Sequence, residues 1–201
     1  GYRTFVSASP RYSWASAGAH VSTADPGALA QGAKETLSAC AHRLAQASGG
    51  KLVVLGPQDW HAVIALEQAI FPEDPWTPGM VAEELSSGLS VYFGVCADAP
   101  DGELPVLCGY AGVKVGLDSD VMTMGVLPDF RGRGLGRALM DALLELARQR
   151  GSERVFLEVR ASNTPAITLY EQSVFERVGV TKAYFRNPRE DAVNMRLLFG
   201  A

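Results

Sequence analysis

The chain reads V-L-P-D-F-R-G-R-G-L-G-R-A-L from Val126 to Leu139. An apolar strand end and a Pro-Asp turn are followed by a glycine-rich loop and the first turns of an amphipathic helix. Glycine lets the backbone approach a ligand closely, because it has no side chain and tolerates positive φ. The helix directs N–H groups and a positive dipole end at the loop, and the arginines add donors that suit phosphate oxygens. This segment therefore predicts an anion site, with a diphosphate-bearing ligand as the leading interpretation.

Two other nucleotide motifs and one structural alternative compete for this loop. A Walker A loop ends in Gly-Lys-Ser/Thr, and no lysine is present here. A dinucleotide fingerprint requires G-x-G-x-x-G, whereas the glycines are Gly132, Gly134 and Gly136. The structural alternative is a solvated strand-to-helix turn that binds nothing. The order of strand, loop and helix favours the ligand site.

Two blocks of sequence resemble a known family. The pattern Arg131-x-x-Gly134-x-Gly136 after an apolar strand is similar to the acetyl-CoA pyrophosphate loop of the GNAT acetyltransferase superfamily. The run L-E-V-R-A-S-N at 157–163, with A-I-T-L-Y-E at 166–171, resembles the signature of RimI-type protein N-terminal alanine acetyltransferases. The resemblance covers roughly residues 51–198. It implies an α/β GNAT fold, in which about four helices flank a mixed, mostly antiparallel twisted sheet, and it implies acetyl-CoA as donor.

The hydrophobic periodicity predicts the same order of elements. Strands are expected near 51–55, 90–97, 106–115, 120–126, 155–160, 175–180 and 192–198. Helices are expected from Asp59, from Thr77 to Ser86, from the glycine loop to Gly151, and over 163–173. The third helix should bury one stripe, formed by Leu135, Leu139, Ala142, Leu143 and Leu146. A turn is expected at 98–102.

Length and composition indicate one domain with an extension. The chain has 201 residues, of which 47% are hydrophobic and 20% charged. We assign 51–201 to the acetyltransferase domain and 1–50 to an N-terminal extension, whose function the sequence leaves open. The extension carries one predicted helix, which Asp25 caps and Gly49-Gly50 ends.

Charge and residue usage restrict the partners. A net charge of −4 argues against nucleic-acid binding and suits a basic peptide. No apolar run is long enough for a membrane span. The cysteines lack a C-x-x-C pair, which favours a reduced, cytoplasmic compartment, and the histidines lack metal-ligand spacing, so no metal is expected; these residues are Cys40, Cys96, Cys108, His20, His42 and His61.

Glu158 is the candidate general base. Strand alternation sends Val155, Leu157 and Val159 to one face of the sheet and Glu158 to the other. A carboxylate among apolar strand residues is desolvated, which raises its pKa toward the neutral range that a base needs. The alternative is a salt bridge to a neighbouring arginine, Arg154 or Arg160.

The family resemblance implies the remaining roles. Glu158 corresponds to its general base, Tyr170 to its general acid, and Asn163 to a donor-binding residue. A bulge before the glycine loop lets the donor pair with the strand edge, at Met124, Gly125 and Val126, and the N–H of Val126 is expected near the thioester oxygen. The loop residues implied in donor binding are Arg131, Gly132, Arg133, Gly134, Leu135, Gly136 and Arg137.

Asn163 and Tyr170 each have a structural alternative. Asn163 also suits the N-cap of its helix, and Tyr170 suits the core. The family commonly has glycine where this chain has Val174. Because a β-branched residue disfavours positive φ, we expect this helix to end differently and to shift Tyr170 slightly.

The acceptor side is less defined. The resemblance places the segment Phe71–Trp76 there, with Trp76 either a core residue or a wall of a peptide groove. Tyr184 and Phe185 occupy the positions of a family aromatic pair. Four acidic residues either steer a basic substrate or are solvated charges: Glu73, Asp74, Glu190 and Asp191.

The leading hypothesis is acetylation of a protein N-terminus, alanine or a similar small residue, of a ribosomal protein. Small-molecule amines or protein lysines are alternative acceptors. A non-catalytic acetyl-CoA sensor or interaction module is the alternative from another class, and an oxidoreductase is disfavoured by the loop spacing.

Overall fold

The computed structural model describes Ala33, residues 50–98 and residues 106–200. The strands and helices with described bounds follow the predicted order. They are β1 (Lys51–Leu55), α1 (Trp60–Ile70), α2 (Pro78–Ser86), β2 (Ser90–Ala97), β3 (Val106–Lys114), β4 (Asp118–Val126), α3 (Leu135–Gln149), β5 (Arg154–Arg160), α4 (Thr164–Gln172), β6 (Glu176–Arg186) and β7 (Arg189–Leu198).

The strands form one seven-stranded sheet in the order β1-β2-β3-β4-β5-β7-β6. Neighbouring strands are antiparallel except β4 and β5, which are parallel. The predicted architecture, a mixed, mostly antiparallel sheet with flanking helices, is therefore confirmed. The last two strands are longer than the sequence predicts. β6 begins near the expected residue, and both strands extend as far as the hairpin that joins them.

Each face of the sheet carries its own apolar core. The core on one face takes its helical residues from α3 and α4 and includes the whole predicted stripe of α3, which is at most 1% exposed. The core on the other face takes its helical residues from α1 and α2. Burial of apolar surface on both faces is the main stabilising contribution to this layered arrangement.

Local signals set the helix starts. The Thr77 side chain accepts a hydrogen bond from the Met80 N–H at 3.2 Å, as predicted for the N-cap of α2. The Asn163 side chain accepts from the Ala166 N–H at 3.3 Å at the start of α4. Both contacts satisfy an N–H group that has no partner within the helix.

The expectation about Val174 is wrong. Val174 adopts φ of 70°, the left-handed conformation that a β-branched residue was expected to avoid. The Val174 N–H donates to the Glu171 carbonyl at 3.0 Å, and the Phe175 N–H donates to the Tyr170 carbonyl at 3.0 Å. These are the two bonds of a Schellman motif. The helix therefore ends as it would with glycine. Val174 is 76% exposed and adopts the strained backbone conformation itself.

Some predictions fall on residues outside the described ranges. Most of the helix predicted within 25–49 and most of the turn predicted at 98–102 are among them. Ala33 is described: it is helical and fully buried in the core that contains α3 and α4. Within the described ranges, no helix combines the length and apolar character that crossing a bilayer requires.

Candidate active site

The parallel strands β4 and β5 separate along their length. Their ladder contains three pairs, from Asp118 with Arg154 to Asp120 with Phe156. Beyond that point β4 continues to Val126 and β5 continues to Arg160, but the two strands no longer pair with each other. The gap between them, which we call the β4–β5 opening, lies at the carboxyl ends of both strands, where open α/β sheets bind ligands.

The edge of β4 offers backbone groups to this opening. The Leu127 N–H donates to the Cys108 carbonyl at 2.7 Å. Bonded and non-bonded pairs alternate along an antiparallel ladder, so Met124 and Val126 direct their N–H and C=O groups away from β3. The Val126 carbonyl accepts from Arg131 Nε at 3.0 Å. Arg131 therefore fixes the loop to the strand end.

Gly125 has a different role from the one predicted. It pairs in register with Tyr110 and does not have positive φ, so the expected bulge at this residue is wrong. A Cβ here would lie 2.6 Å from Ile70 Cγ2 and 2.9 Å from Phe71 Cζ. Glycine thus makes room for the end of α1. The irregularity in β4 lies at Met122, where the register with β3 shifts by one residue.

The glycine loop has the geometry of an anion site. Gly132 and Gly134 both have φ of 77°, and a Cβ at either position would have no atom within 4 Å. Gly134 is the N-cap of α3, and the first helical bond runs from the Ala138 N–H to its carbonyl at 3.1 Å. The N–H groups of the first turn therefore face open space beside the loop.

The other two loop arginines lie at the surface. The guanidinium of Arg133 lies 5.0 Å from the centre of the Phe130 ring. Arg137 is paired with Asp141, one turn later on α3, at 3.1 Å. Both side chains lie beside the glycine loop, and Asp141 partly compensates the charge of Arg137.

Glu158 lies where strand alternation predicts. Val155, Leu157 and Val159 are at most 1% exposed in the core formed with α3 and α4. Glu158 is half-buried on the opposite face, across from Asn194 of β7. Both arginines considered as its partners contact other acidic residues: Arg154 pairs with Asp118, and Arg160 with Asp74 and Glu190.

Tyr170 and Asn163 occupy opposite ends of α4. Tyr170 is fully buried, with its ring 6.0 Å from that of Phe175. Asn163 caps the helix and also lines a pocket. The structure thus places Asn163 beside a cleft and Tyr170 within the core that contains α3 and α4.

A pocket of about 180 Å³ lies at the carboxyl end of β5. Three segments meet there: the α1–α2 connection, the start of α4 and the β6–β7 turn. The lining residues are Ile70, Phe71, Pro72, Glu73, Asp74, Arg160, Asn163 and Asn187.

Arg160 holds two walls of this pocket together. Its guanidinium donates to the carbonyls of Asn187 at 2.8 Å and Pro188 at 2.9 Å in the β6–β7 turn. It also lies 3.4 Å from Glu190 and 3.8 Å from Asp74. Its side chain is 14% exposed. From the sequence, Arg160 is only a candidate partner for Glu158, and its link between the two walls was not predicted.

The predicted aromatic pair lies under this arginine. Phe185 is buried, and the Arg160 guanidinium lies 4.3 Å from the centre of its ring. Tyr184 is half-buried and packs edge-on against Phe185 at 5.1 Å. Phe185 therefore packs against a residue that lines the pocket, Arg160, without lining it itself.

Trp76 takes the first of its two alternatives, a core position. It is 5% exposed and packs edge-on to Tyr92 at 6.5 Å. Its backbone N–H donates to Glu67 Oε1 at 2.9 Å, and the Tyr110 hydroxyl donates to Glu67 Oε2 at 2.6 Å. The sequence analysis missed Glu67. Its signal was an acidic residue within the apolar stripe of α1, four residues after Val63.

The acidic residues near the pocket are mostly paired. Asp74 and Glu190 contact Arg160, and Asp191 binds Lys182 at 2.9 Å. Glu73 is exposed at the pocket edge. Charge pairing therefore leaves a smaller negative potential here than the sequence suggests.

Asp120 is the carboxyl group at the base of the opening. Burial, the largest influence, raises its pKa from 3.8 to about 6. The Lys114 ammonium acts in the opposite direction, and Asp118 adds to the rise. Within the described residues, no group of three or more His, Cys, Asp or Glu side chains could hold a metal ion.

Comparison with known proteins extends these observations. Residues 60–174 match the family described as "Acetyltransferase (GNAT) family". The N-alpha-acetyltransferase RimI of Mycobacterium tuberculosis is 38% identical over 137 residues, which are 65% of this chain and 81% of that protein.

Solved structures show the same fold. The ribosomal-protein-S18-alanine N-acetyltransferase from Escherichia coli superimposes with a TM-score of 0.66 at 28% identity, over 76% of this chain and 95% of that one. Arabidopsis thaliana NAA60 in complex with acetyl-CoA superimposes with a TM-score of 0.68 at 20% identity, over 76% of this chain and 99% of that one.

Proposed function

This chain belongs to the GNAT acetyltransferase family and is an acetyl-CoA-dependent N-acetyltransferase, and from that premise we propose that it acetylates the N-terminal α-amino group of a protein. The acceptor in this proposal is a ribosomal protein with an N-terminal alanine, and the reaction takes place in the cytoplasm. Of the two similar bacterial proteins, one is named an N-alpha-acetyltransferase and the other a ribosomal-protein-S18-alanine N-acetyltransferase.

The observation that carries the proposal is the β4–β5 opening between the glycine loop and the strand of Glu158. The residues present suit acetyl-CoA. Gly132 and Gly134 leave space for a diphosphate beside the start of α3, and the free edge of β4 can pair with the amides of an extended pantetheine arm. Acetyl-CoA supplies the acetyl group as a thioester.

Glu158 is the general base in this proposal. The attacking amine must be neutral, so a proton has to leave the ammonium group before or during attack. Glu158 is half-buried on the sheet face that α1 and α2 partly cover, and its strand ends beside the pocket. A base in this position accepts the proton on the acceptor side of the opening.

Val126 and Tyr170 act on the donor side. The Val126 N–H faces the opening and would donate to the carbonyl oxygen on which negative charge develops during attack. Tyr170 would protonate the leaving sulfur. Because its ring is fully buried, this role requires that the donor enter the opening as far as the Tyr170 hydroxyl.

The pocket beside Asn163 is the proposed acceptor site. Both apolar and polar residues line it, and Arg160 links two of its boundaries, the α1–α2 connection and the β6–β7 turn. About 180 Å³ accommodates a small first side chain such as that of alanine. The net negative charge of the chain favours a basic peptide.

The test is a thiol-release assay with acetyl-CoA and three matched acceptors. The first is a basic peptide with N-terminal alanine. The second is the same peptide with a blocked N-terminus and one internal lysine, and the third is a set of small polyamines. Mass spectrometry then locates the acetyl group.

Turnover on the free N-terminus, with the blocked peptide and the amines inactive, supports the proposal. Turnover confined to lysine or to small amines would contradict the acceptor. Acetyl-CoA binding without turnover on any acceptor would instead favour a non-catalytic sensor.

A further inference from the structure

The buried carboxyl group of Glu67 links the segment between α1 and α2 to the sheet. Glu67 is fully buried beside the apolar core that α1 and α2 form with the sheet. It accepts the Trp76 backbone N–H at 2.9 Å through one oxygen and the Tyr110 hydroxyl at 2.6 Å through the other. Both bonds are shielded from water, so leaving either partner without its acceptor would be costly.

These bonds fix both ends of the segment that lines the pocket. At its start, the Phe71 N–H donates to the Glu67 carbonyl at 2.8 Å. At its end, Trp76 binds the Glu67 side chain. Residues 71–74 of this segment form one wall of the pocket. Glu67 itself does not line the pocket, so it acts on this wall only through its hydrogen bonds.

The same carboxylate reaches the donor strand through Tyr110. Tyr110 pairs with Gly125 of β4. The residues on either side of Gly125, Met124 and Val126, direct their backbone N–H and C=O groups toward the β4–β5 opening. Ile70 and Phe71 lie against Gly125, with no space for a Cβ between them. The wall of the pocket therefore rests on the strand that binds the donor.

We propose that Glu67 is a positioning residue that sets the acceptor wall, residues 71–76, against β3 and β4. The proposal rests on the proposed function, because it takes this pocket as the acceptor site. Glu67 touches neither substrate; it determines where the wall stands relative to the opening. Its loss should weaken acceptor binding while donor binding stays intact.

The decisive variant is Glu67→Leu, which keeps the volume but removes both acceptor oxygens. We expect the KM for the acceptor to rise roughly tenfold, with the acetyl-CoA KM unchanged within about twofold. Glu67→Gln should restore most of the loss, because its amide can still accept from Trp76 and donate to the Tyr110 oxygen. Hydrogen exchange of the Glu73, Asp74 and Trp76 amides should be faster in Glu67→Leu and near parental in Glu67→Gln.

Glu84 provides the matched control. It accepts the Tyr92 hydroxyl at 2.7 Å beside the same core, on α2, and it does not line the pocket. Glu84→Leu removes a similar carboxylate–tyrosine bond, so it should reduce stability without changing the acceptor KM. Equal effects of the two leucine variants on both KM values would overturn the proposal, since they would indicate stability alone.

Tyr110→Phe covers the case in which Glu67→Leu does not fold. It removes one hydrogen bond and should raise the acceptor KM roughly threefold, with faster exchange of the Glu73, Asp74 and Trp76 amides. Unchanged KM and unchanged exchange would overturn the proposal. The exchange measurement needs no acceptor, and the KM measurement uses whichever amine is turned over. A failure of the peptide acceptor is therefore distinguishable from a failure of Glu67 to position the wall.

Discussion

Asp120 and Phe156 form the last pair of the parallel ladder between β4 and β5. Glu158 lies two residues further along β5, on the same face of the sheet as Phe156. The strands therefore separate two residues before the proposed base. In the proposed reaction, an acceptor at Glu158 would therefore meet a donor that lies in the opening.

Glu158→Gln should lower kcat by roughly 10²- to 10⁴-fold, the range that a positioned base contributes. The amide keeps the shape of the side chain but cannot accept the proton. Acetyl-CoA affinity, measured by calorimetry, should stay near the parental value, because the glycine loop and the edge of β4 are untouched. Glu153→Gln, an exposed carboxylate just before β5, should leave both quantities unchanged. Parental turnover in Glu158→Gln would end its assignment as base.

Gly134→Val should abolish or strongly weaken acetyl-CoA binding. Its φ of 77° strains any L side chain, and the added atoms would fill the open space in which we propose that the diphosphate binds. Gly151 provides a matched control at the other end of α3, with φ of 79° and equally open surroundings. Each valine should cost about 1–2 kcal/mol of unfolding free energy.

Calorimetry separates the two glycine variants. Gly134→Val should bind acetyl-CoA at least roughly tenfold more weakly, a loss of about 1.4 kcal/mol or more. Gly151→Val should bind it with parental affinity despite its similar loss of stability. Equal affinities in both variants would contradict the assignment of the loop.

Local sequence patterns predicted most of the fold. The two-residue alternation of β5 placed Glu158 on the correct face, and the stripe of α3 identified its buried residues. The loop and both N-caps depend on residues within a few positions of each other, so their geometry is also legible from sequence. These features follow from short-range chemistry.

The contacts that the sequence could not show join distant residues. Glu67 and Tyr110 are 43 positions apart, and Arg160 reaches Asn187 across 27. Gly125 was misinterpreted for the same reason: its lack of a Cβ serves Ile70, a residue of α1. At Val174 the error was energetic, because a local strain of a few kcal/mol at most is tolerated when the rest of the helix end is well bonded.

Asp120 should make the stability of the protein depend on pH. Its pKa is raised to about 6 in the folded protein, against about 3.9 in an unfolded chain. Between these values the folded state holds a proton that the unfolded state has lost, so stability falls as pH rises from about 4 to about 6. Asp120→Asn removes this dependence and should be more stable at pH 7, by on the order of 2 kcal/mol.

Urea unfolding of Asp120→Asn and the parent across pH 4 to 7 checks this prediction. The two unfolding free energies should converge toward pH 4, where the parental carboxyl is also protonated. A constant difference at every pH would show that the substitution acts through packing and not through titration. Lys114 loses a charged neighbour in the variant, which reduces the gain at neutral pH without changing its sign.

Val174→Gly should stabilise the protein. Valine at φ of 70° pays the left-handed cost of about 1–2 kcal/mol, while glycine adds about 0.5–1 kcal/mol of backbone entropy loss. The side chain is 76% exposed, so little packing is lost. The net gain should therefore be roughly 0.5–1 kcal/mol in urea unfolding. Val178→Gly, an exposed valine within β6, should instead destabilise. Because the Schellman bonds that hold the end of α4 already exist with valine, Val174→Gly should leave acetyl transfer unchanged; a large change in kcat would mean that Tyr170 moves with this helix end.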